Sequence, residues 1–521
     1  MGRFLIAFIF ISALLTRIYK LRELFYFTFD EEVIAFIAKR IAEFEHIPLI
    51  GGVTPLGVHV GPFFYWFSGL LFVISGNNPL IWGIFAAILG GISAVTLYLV
   101  SKKIFGNFAG LTASVIYSFS YLQIATDRHY WGLVFNPLIA VVFLYSIYQI
   151  YKKKYWFSLL LAATLSFGWH ADPSTLVFWI AAIILWFVLK LPIRKKEVGL
   201  SVLILIASFV PTIFFELRHN FHNLDKLLQF FSNRSVAASG QNSVIEKIGE
   251  DLLVPIKSFA RLIYPFGDLD LSKQYSYCAN YINEKFSALP WWMVVFSLII
   301  FLTPLLILLV RKKTNEETIG LKIIYSVSFS FILGIGIYGG IFGSDVFEHY
   351  YTSLFPYFFI LFGFVLSQIK FLEKAVLFAP VLIIVFLNIA QFTQIKNVYG
   401  YRDKVDAVKW VIEKSNDKDF SIDSLGTCWR YNGYRYLFLV AGKEPVKSFV
   451  DPQLAYLYDK PPEENHPEMF ALFLNPNFEE TADYFKQLDN YQNHKVIDKK
   501  SFGKLEVVLI DNSDGWLNSP N

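Results

Sequence analysis

The chain has 521 residues, 55% of them hydrophobic and only 17% charged, with a mean hydropathy of +0.46. A water-soluble globular chain carries about 25% charged residues, so this composition excludes an ordinary soluble protein and calls for lipid as solvent. A net charge of +4 gives no reason to expect nucleic acid as a partner, and two cysteines, Cys278 and Cys428, exclude a disulfide framework and a cysteine metal cluster. Aromatic residues reach 18%, and Tyr and Trp suit the water–lipid boundary, where one ring edge is wet and the other apolar.

Met1–Phe10 has the look of a signal peptide, but Arg17, Lys20 and Arg22 follow in place of a small-residue cleavage site. It is read as a retained span, Phe4–Thr16. A membrane helix needs roughly 20 mostly apolar residues, fewer with aromatic flanks. Ten further segments meet that need: Leu80–Val100, Phe108–Thr126, Trp131–Ile150, Tyr155–Trp169, Ser174–Leu189, Leu200–Phe215, Trp291–Val310, Ile323–Phe342, Tyr351–Ile369 and Ala375–Gln394. Basic residues fall in every second loop, at Lys102-Lys103, Lys152–Lys154, Lys190 with Arg194–Lys196, Arg311–Lys313, and Lys370 with Lys374. The positive-inside rule makes those loops cytoplasmic, starts the chain inside and leaves the C-terminal tail outside. All nine histidines then lie outside: His46, His59, His129, His170, His219, His222, His349, His466 and His494. Gly61–Ile74 is apolar but short, and as a span it would reverse the alternation. It is read as an interfacial helix, with a genuine span as the alternative.

The first outer loop, residues 17–79, carries Asp30-Glu31-Glu32 ahead of apolar residues at helical spacing. Asp30 can cap an amphipathic surface helix there. It can also act as a general base, because a poorly solvated carboxylate beside other acids gains basicity. His59 offers a phosphate ligand or a turn cap. In the second outer loop Arg128 and His129 suit a phosphate, with Asp127 as a partner for Arg128. The third holds His170, then Asp172 or Ser174 as the cap of the next helix. The fourth opens Glu216-Leu217-Arg218-His219, and the fifth carries Glu348-His349-Tyr350. Ionised groups at membrane depth persist when paired or useful, so five polar loops on one face point to one site.

These residues resemble the GT-C superfamily of membrane glycosyltransferases, in particular the protein O-mannosyltransferase and aminoarabinose-transferase branch. The likeness is carried by the acidic pair in the first outer loop, the interfacial helix after it, the inner turn Lys103-Ile104-Phe105-Gly106, the polar motif before Asn136-Pro137, and the Phe215–His219 and Glu348–Tyr350 segments. It covers about the first four hundred residues. The resemblance implies a polyprenyl-phosphate-linked sugar as donor, transfer with inversion to a glycan, lipid or protein hydroxyl, and a site outside the cytoplasmic membrane. It maps the family's acidic pair onto Asp30 and Glu31 as catalytic residues, although the third acid, Glu32, leaves the register open by one position. Donor phosphate binding falls to His59, Arg128, His129, Arg218, His219, His349 and Tyr350. The resemblance implies no required cofactor; the outer Asp, Glu and His residues offer ligands for a divalent metal. His59 stands where the aminoarabinose enzymes place a lysine, a departure from the pattern.

The expected fold is thus an all-α membrane bundle of about eleven spans over residues 1–394, with interfacial helices in the first outer loop and a long outer loop at 216–290. Residues 395–521 should form a small outer α/β domain, with Arg402–Glu413 helical and strands at Asp419–Ser424 and Lys504–Ile510. The run Trp429–Tyr436 can stack on sugars or pack internally, and Cys278 and Cys428 are free to pair. Two rival readings are a transporter or flippase of lipid-linked glycans and a noncatalytic subunit of the same fold. The proposed spans hold no Asp, Glu, Lys or Arg and no repeat is evident, which argues against a coupled carrier.

Overall fold

The computed structural model describes residues 2–54, 57–232, 244–268, 287–310, 315–342, 346–369, 373–394, 400–425, 433–459, 462, 467–474, 491, 494–503 and 505–513. Each of the eleven predicted segments falls on a helix or a broken helix. Among the described residues seven helices are long and apolar enough to cross a bilayer. The other four segments are shorter: α1 (Gly2–Ile18), the pair Asn107–Phe119 and Tyr121–Thr126, then Phe157–Ala171 and Leu176–Leu189. By length and composition, seven of the eleven predicted segments thus qualify as spans among the described residues. Ser120 interrupts the broken pair, and its neighbour's amide is not left bare, because Tyr121 N donates to Asn388 Oδ1 at 2.7 Å. Pro211, Pro304 and Pro380 lie inside long helices, as packed membrane helices tolerate.

Burial sorts the helices into layers. The window within Glu348–Gln368 is 83% buried, whereas that within Lys195–Arg218 is 11% buried. The first lies within the bundle and the second presents its apolar surface outward. At the end of the bundle carrying the Lys-rich turns, Lys152 Nζ meets Glu316 Oε1 at 2.7 Å. At the other end gather the loops that the sequence reading takes as outer. There α2 (Phe29–Ala42) packs against α3 (Phe63–Ser75), closely enough that a Cβ at Gly69 would stand 2.4 Å from Ile41. With 13 residues, α3 is well short of the roughly 20 a span needs.

Residues 216–290, expected as a loop, contain the helices His222–Ser232 and Val244–Ile263. Both have a strong amphipathic pattern, which the search for wholly apolar runs passes over. The C-terminal part holds helix Tyr401–Ser415 and a four-stranded sheet of β1 (Phe420–Leu425), β2 (Met469–Leu474), β3 (Val496–Phe502) and β4 (Leu505–Asp511). The strand order is β1-β2-β4-β3, with β1 parallel to β2 and the other pairs antiparallel. Of the aromatic run, Tyr434, Arg435 and Tyr436 are buried, and Tyr434 packs on Phe473 with ring centroids 4.1 Å apart. Cys278, Cys428, His466 and residues 429–432 lie outside the described residues.

Candidate active site

Thr28 opens α2, and Glu31 three residues on closes a capping box: its Oε2 accepts from Thr28 N at 3.0 Å and from Thr28 Oγ1 at 2.6 Å. The cap is therefore Thr28, not Asp30. Successive helical residues stand about 100° apart, so three adjacent acids face three directions. Asp30, half-buried, lines a cavity of about 830 Å³. Glu31 is fully buried, and its Oε1 meets His129 Nδ1 at 3.0 Å. Burial pushes the Glu31 carboxyl up, but the His129 and Thr28 hydrogen bonds outweigh it and leave the pKa lowered. Glu32, also fully buried, turns to the C-terminal part, where Oε2 accepts from Gly433 N at 3.1 Å and Oε1 from Tyr436 N at 2.9 Å. Burial raises its pKa to about 7 despite those bonds.

The remaining predicted residues divide. His349 and Tyr350, on the short helix Glu348–Leu354, line the cavity with Asp30. The ion pair of Glu348 with Arg261, at 2.5 Å, fixes that segment. His59 also lines the cavity, but its Nδ1 lies 3.1 Å from the Gly51 carbonyl and burial lowers its pKa. A carbonyl only accepts, so Nδ1–H donates to Gly51 and holds the ring against its own loop. Arg128 is buried and does not line the cavity. Its guanidinium donates to the carbonyls of Thr16 at 3.0 Å and Tyr19 at 2.7 Å, closing the end of α1. Asp127 pairs with Arg17 at 2.7 Å, both fully buried, rather than with Arg128. That places a charge on α1 where the sequence reading ended the span at Thr16. His129 stacks on Tyr26 at 4.0 Å and is committed to Glu31. Arg218 and His219 are exposed at the end of helix Lys195–Arg218, outside the cavity lining, and His219 Nδ1 meets its own helix at Phe215 O.

Further residues complete the cavity. Asp172 accepts from Asn136 Nδ2 at 2.6 Å and from Ser174 N at 3.2 Å, which makes it both a cap, as expected, and part of the wall. Asn136 also donates to Thr352 at 3.1 Å, tying the second, third and fifth outer loops together. Gly61 lies so near His170 that a Cβ there would stand 1.7 Å from the ring, so the loop requires glycine. Arg40, Tyr65, Trp131, Gln453 and Tyr456 also line the cavity. The last two come from more than four hundred residues away, and no local signal marks them. Arg40 was legible as the polar face of α2; its Nη1 donates to Tyr456 O at 3.0 Å. Among the described residues, one group of three acids brings oxygens together as metal ligands would: Glu43, Glu45 and Asp459. It is exposed, and two of its members share Lys39.

Residues 59–215, less than a third of the chain, match the family model described as dolichyl-phosphate-mannose-protein mannosyltransferase. The match takes in His59, Arg128 and His129 and leaves out the acidic triplet. ArnT from Cupriavidus metallidurans, solved bound to undecaprenyl phosphate, superposes with a TM-score of 0.55 at 10% identity, over 97% of this chain and 98% of that one. The apo state of ArnT gives a TM-score of 0.56 at 9% identity, over 98% of both chains. The Archaeoglobus fulgidus oligosaccharyltransferase, in complex with Zn and sulfate, gives 0.49 at 13% identity over 91% of this chain and 68% of that one. No curated protein matches. The chain thus has the fold of ArnT, a polytopic helical bundle with a small C-terminal sheet, and the resemblance to the GT-C superfamily holds.

Proposed function

We propose that this chain is a glycosyltransferase that moves a sugar from a polyprenyl-phosphate carrier to an acceptor hydroxyl on the outer side of the cytoplasmic membrane. The observation that carries this reading is the placement of Asp30. It is the member of the acidic triplet that faces the cavity, while Glu31 and Glu32 are committed to structure. The acceptor oxygen attacks the anomeric carbon, the bond from that carbon to the phosphate oxygen breaks, and Asp30 takes the acceptor proton. Configuration at the anomeric carbon inverts. The lipid phosphate leaves as an anion without a second acid, because phosphate is already a fair leaving group. His349 and Tyr350 are the donors best placed to bind it as its charge grows. Glu31 then supports Asp30 through the helix rather than sharing its chemistry, since its lowered pKa and three bonds make it a poor base.

The apolar and aromatic lining suits a lipid-linked sugar, and the ArnT structure of the same fold holds undecaprenyl phosphate. The positive-inside rule, applied to the Lys-rich turns, supports a topology with the N-terminus inside and the sheet outside. The test is to incubate the purified protein with a panel of polyprenyl-phosphate hexoses and pentoses. Release of free polyprenyl phosphate by the parent protein and not by Asp30→Asn supports the reading. Equal turnover by the two proteins sinks Asp30 as base, and no release from any donor sinks the transferase.

A further inference from the structure

We propose that Glu32 is a positioning residue through which the C-terminal α/β part becomes a condition of catalysis. The inference rests on Asp30 as base. Glu32 lies two residues from Asp30 on the first turn of α2, and both its oxygens accept main-chain amides from the C-terminal part, Gly433 N at 3.1 Å and Tyr436 N at 2.9 Å. A carboxylate with no exposure is tolerated only with its hydrogen bonds made, so the two regions cannot part cheaply. The contact is doubled one turn earlier. Lys404 Nζ, also buried, donates to Phe27 O at 2.6 Å, immediately before the Thr28 cap. Gly433 adopts φ +102°, and a Cβ there would stand 2.5 Å from that same carbonyl, so backbone meets backbone where a side chain has no room.

The grip continues down the helix. Tyr436 packs its ring on Phe36 at 5.2 Å, Lys39 pairs with Asp459 at 2.8 Å, and Arg40 donates to Tyr456 O at 3.0 Å. Gln453, Leu454, Tyr456 and Leu457 of the same part then line the cavity together with Asp30. The bundle holds the other side of the same turn through Glu31 and His129. Asp30 therefore sits between two anchors, one from each region, and its carboxylate direction is set by both. A base misplaced by about 1 Å can lose on the order of a hundredfold in rate, so the anchor acts on turnover rather than on donor binding.

The experiment compares Glu32→Ala and Glu32→Gln with the parent chain. It measures turnover, KM for the donor, affinity for undecaprenyl phosphate, and amide exchange over residues 29–34 and 433–437. Glu32→Ala should lose at least tenfold in kcat while KM and lipid affinity stay within twofold, with faster exchange in both segments. Glu32→Gln keeps one acceptor oxygen and should fall between the two, and it decides the matter if the alanine variant does not accumulate. Unchanged kcat with faster exchange only at 433–437 overturns the proposal, because Glu32 would then merely hold the domain. A parallel loss of kcat and lipid affinity also overturns it. Should Asp30→Asn remain active, the base assignment fails by itself, and exchange at 29–34 in Glu32→Ala still reports whether the anchor orders the helix.

Discussion

Two groups of charge sit at the same end of the bundle, and they do opposite work. In the first, Arg17, Asp127 and Arg128 are buried and spend their hydrogen bonds on one another's surroundings: Arg17 on Asp127, Arg128 on the carbonyls that end α1. In the second, Asp30, His349 and Tyr350 open onto the cavity. From the sequence Arg128, in the first group, looked suited to a phosphate, as a guanidinium can bind one bidentately. The difference teaches that a buried cation can be spent on the protein's own backbone instead of being offered to a ligand. What separates the two groups is what lies opposite them across the bundle.

Substitution at each group should read out differently. In the cavity group, Asp30→Asn should lower turnover by roughly a hundredfold to ten-thousandfold, the usual worth of a general base, with thermal stability in detergent unchanged. In the buried group, Arg17→Met leaves Asp127 unpaired and fully buried, which should cost about 3–5 kcal/mol of stability, seen as a lower unfolding temperature or loss from the membrane. The double variant Arg17→Met, Asp127→Leu should recover much of that loss. If Arg17→Met instead kept its stability and lost only turnover, the division drawn above would be wrong. A smaller effect belongs to His349→Ala. Losing one hydrogen bond to a charged phosphate should weaken undecaprenyl phosphate binding about tenfold, near 1.4 kcal/mol, measured by titration. Arg218→Ala, exposed and outside the cavity lining, should leave that affinity within about twofold.

The comparison also marks how far the sequence could be read. The apolar segments were legible because lipid imposes long unbroken runs, and each one lies on a helix. Helices His222–Ser232 and Val244–Ile263 were missed because amphipathic helices satisfy water on one face and show no such run. The cavity position of Asp30 was legible as one of three acids, but which acid faced inward was not: the answer depends on His129, Gly433 and Tyr436, which are about one hundred to four hundred residues distant. Strands β2 and β3 escaped for opposite reasons. Met469–Leu474 is buried along nearly its whole length and shows no alternation, while Val496–Phe502 is a largely exposed edge rich in charge.

The smallest expected effect sets the two structural acids against each other. The Glu31 pKa is lowered from its ordinary 4.5, because the bonds from His129 and Thr28 favour the carboxylate more than burial penalises it. Its contribution to stability is therefore present above pH 4.5 and is lost as pH falls through the lowered value. The Glu32 pKa is raised to about 7 by burial, only partly offset by the two amides and by the charges of Lys404 and Arg435. There the folded chain holds the proton longer than the unfolded one. Its contribution is present below 4.5, declines as pH rises to about 7 and is flat beyond. Unfolding temperature against pH should thus lose part of its acid-side fall in Glu31→Gln and part of its decline between pH 4.5 and about 7 in Glu32→Gln. Curves altered in the same window by both substitutions would mean that the neighbouring acids share one environment, and that the turn of α2 does not hold them apart.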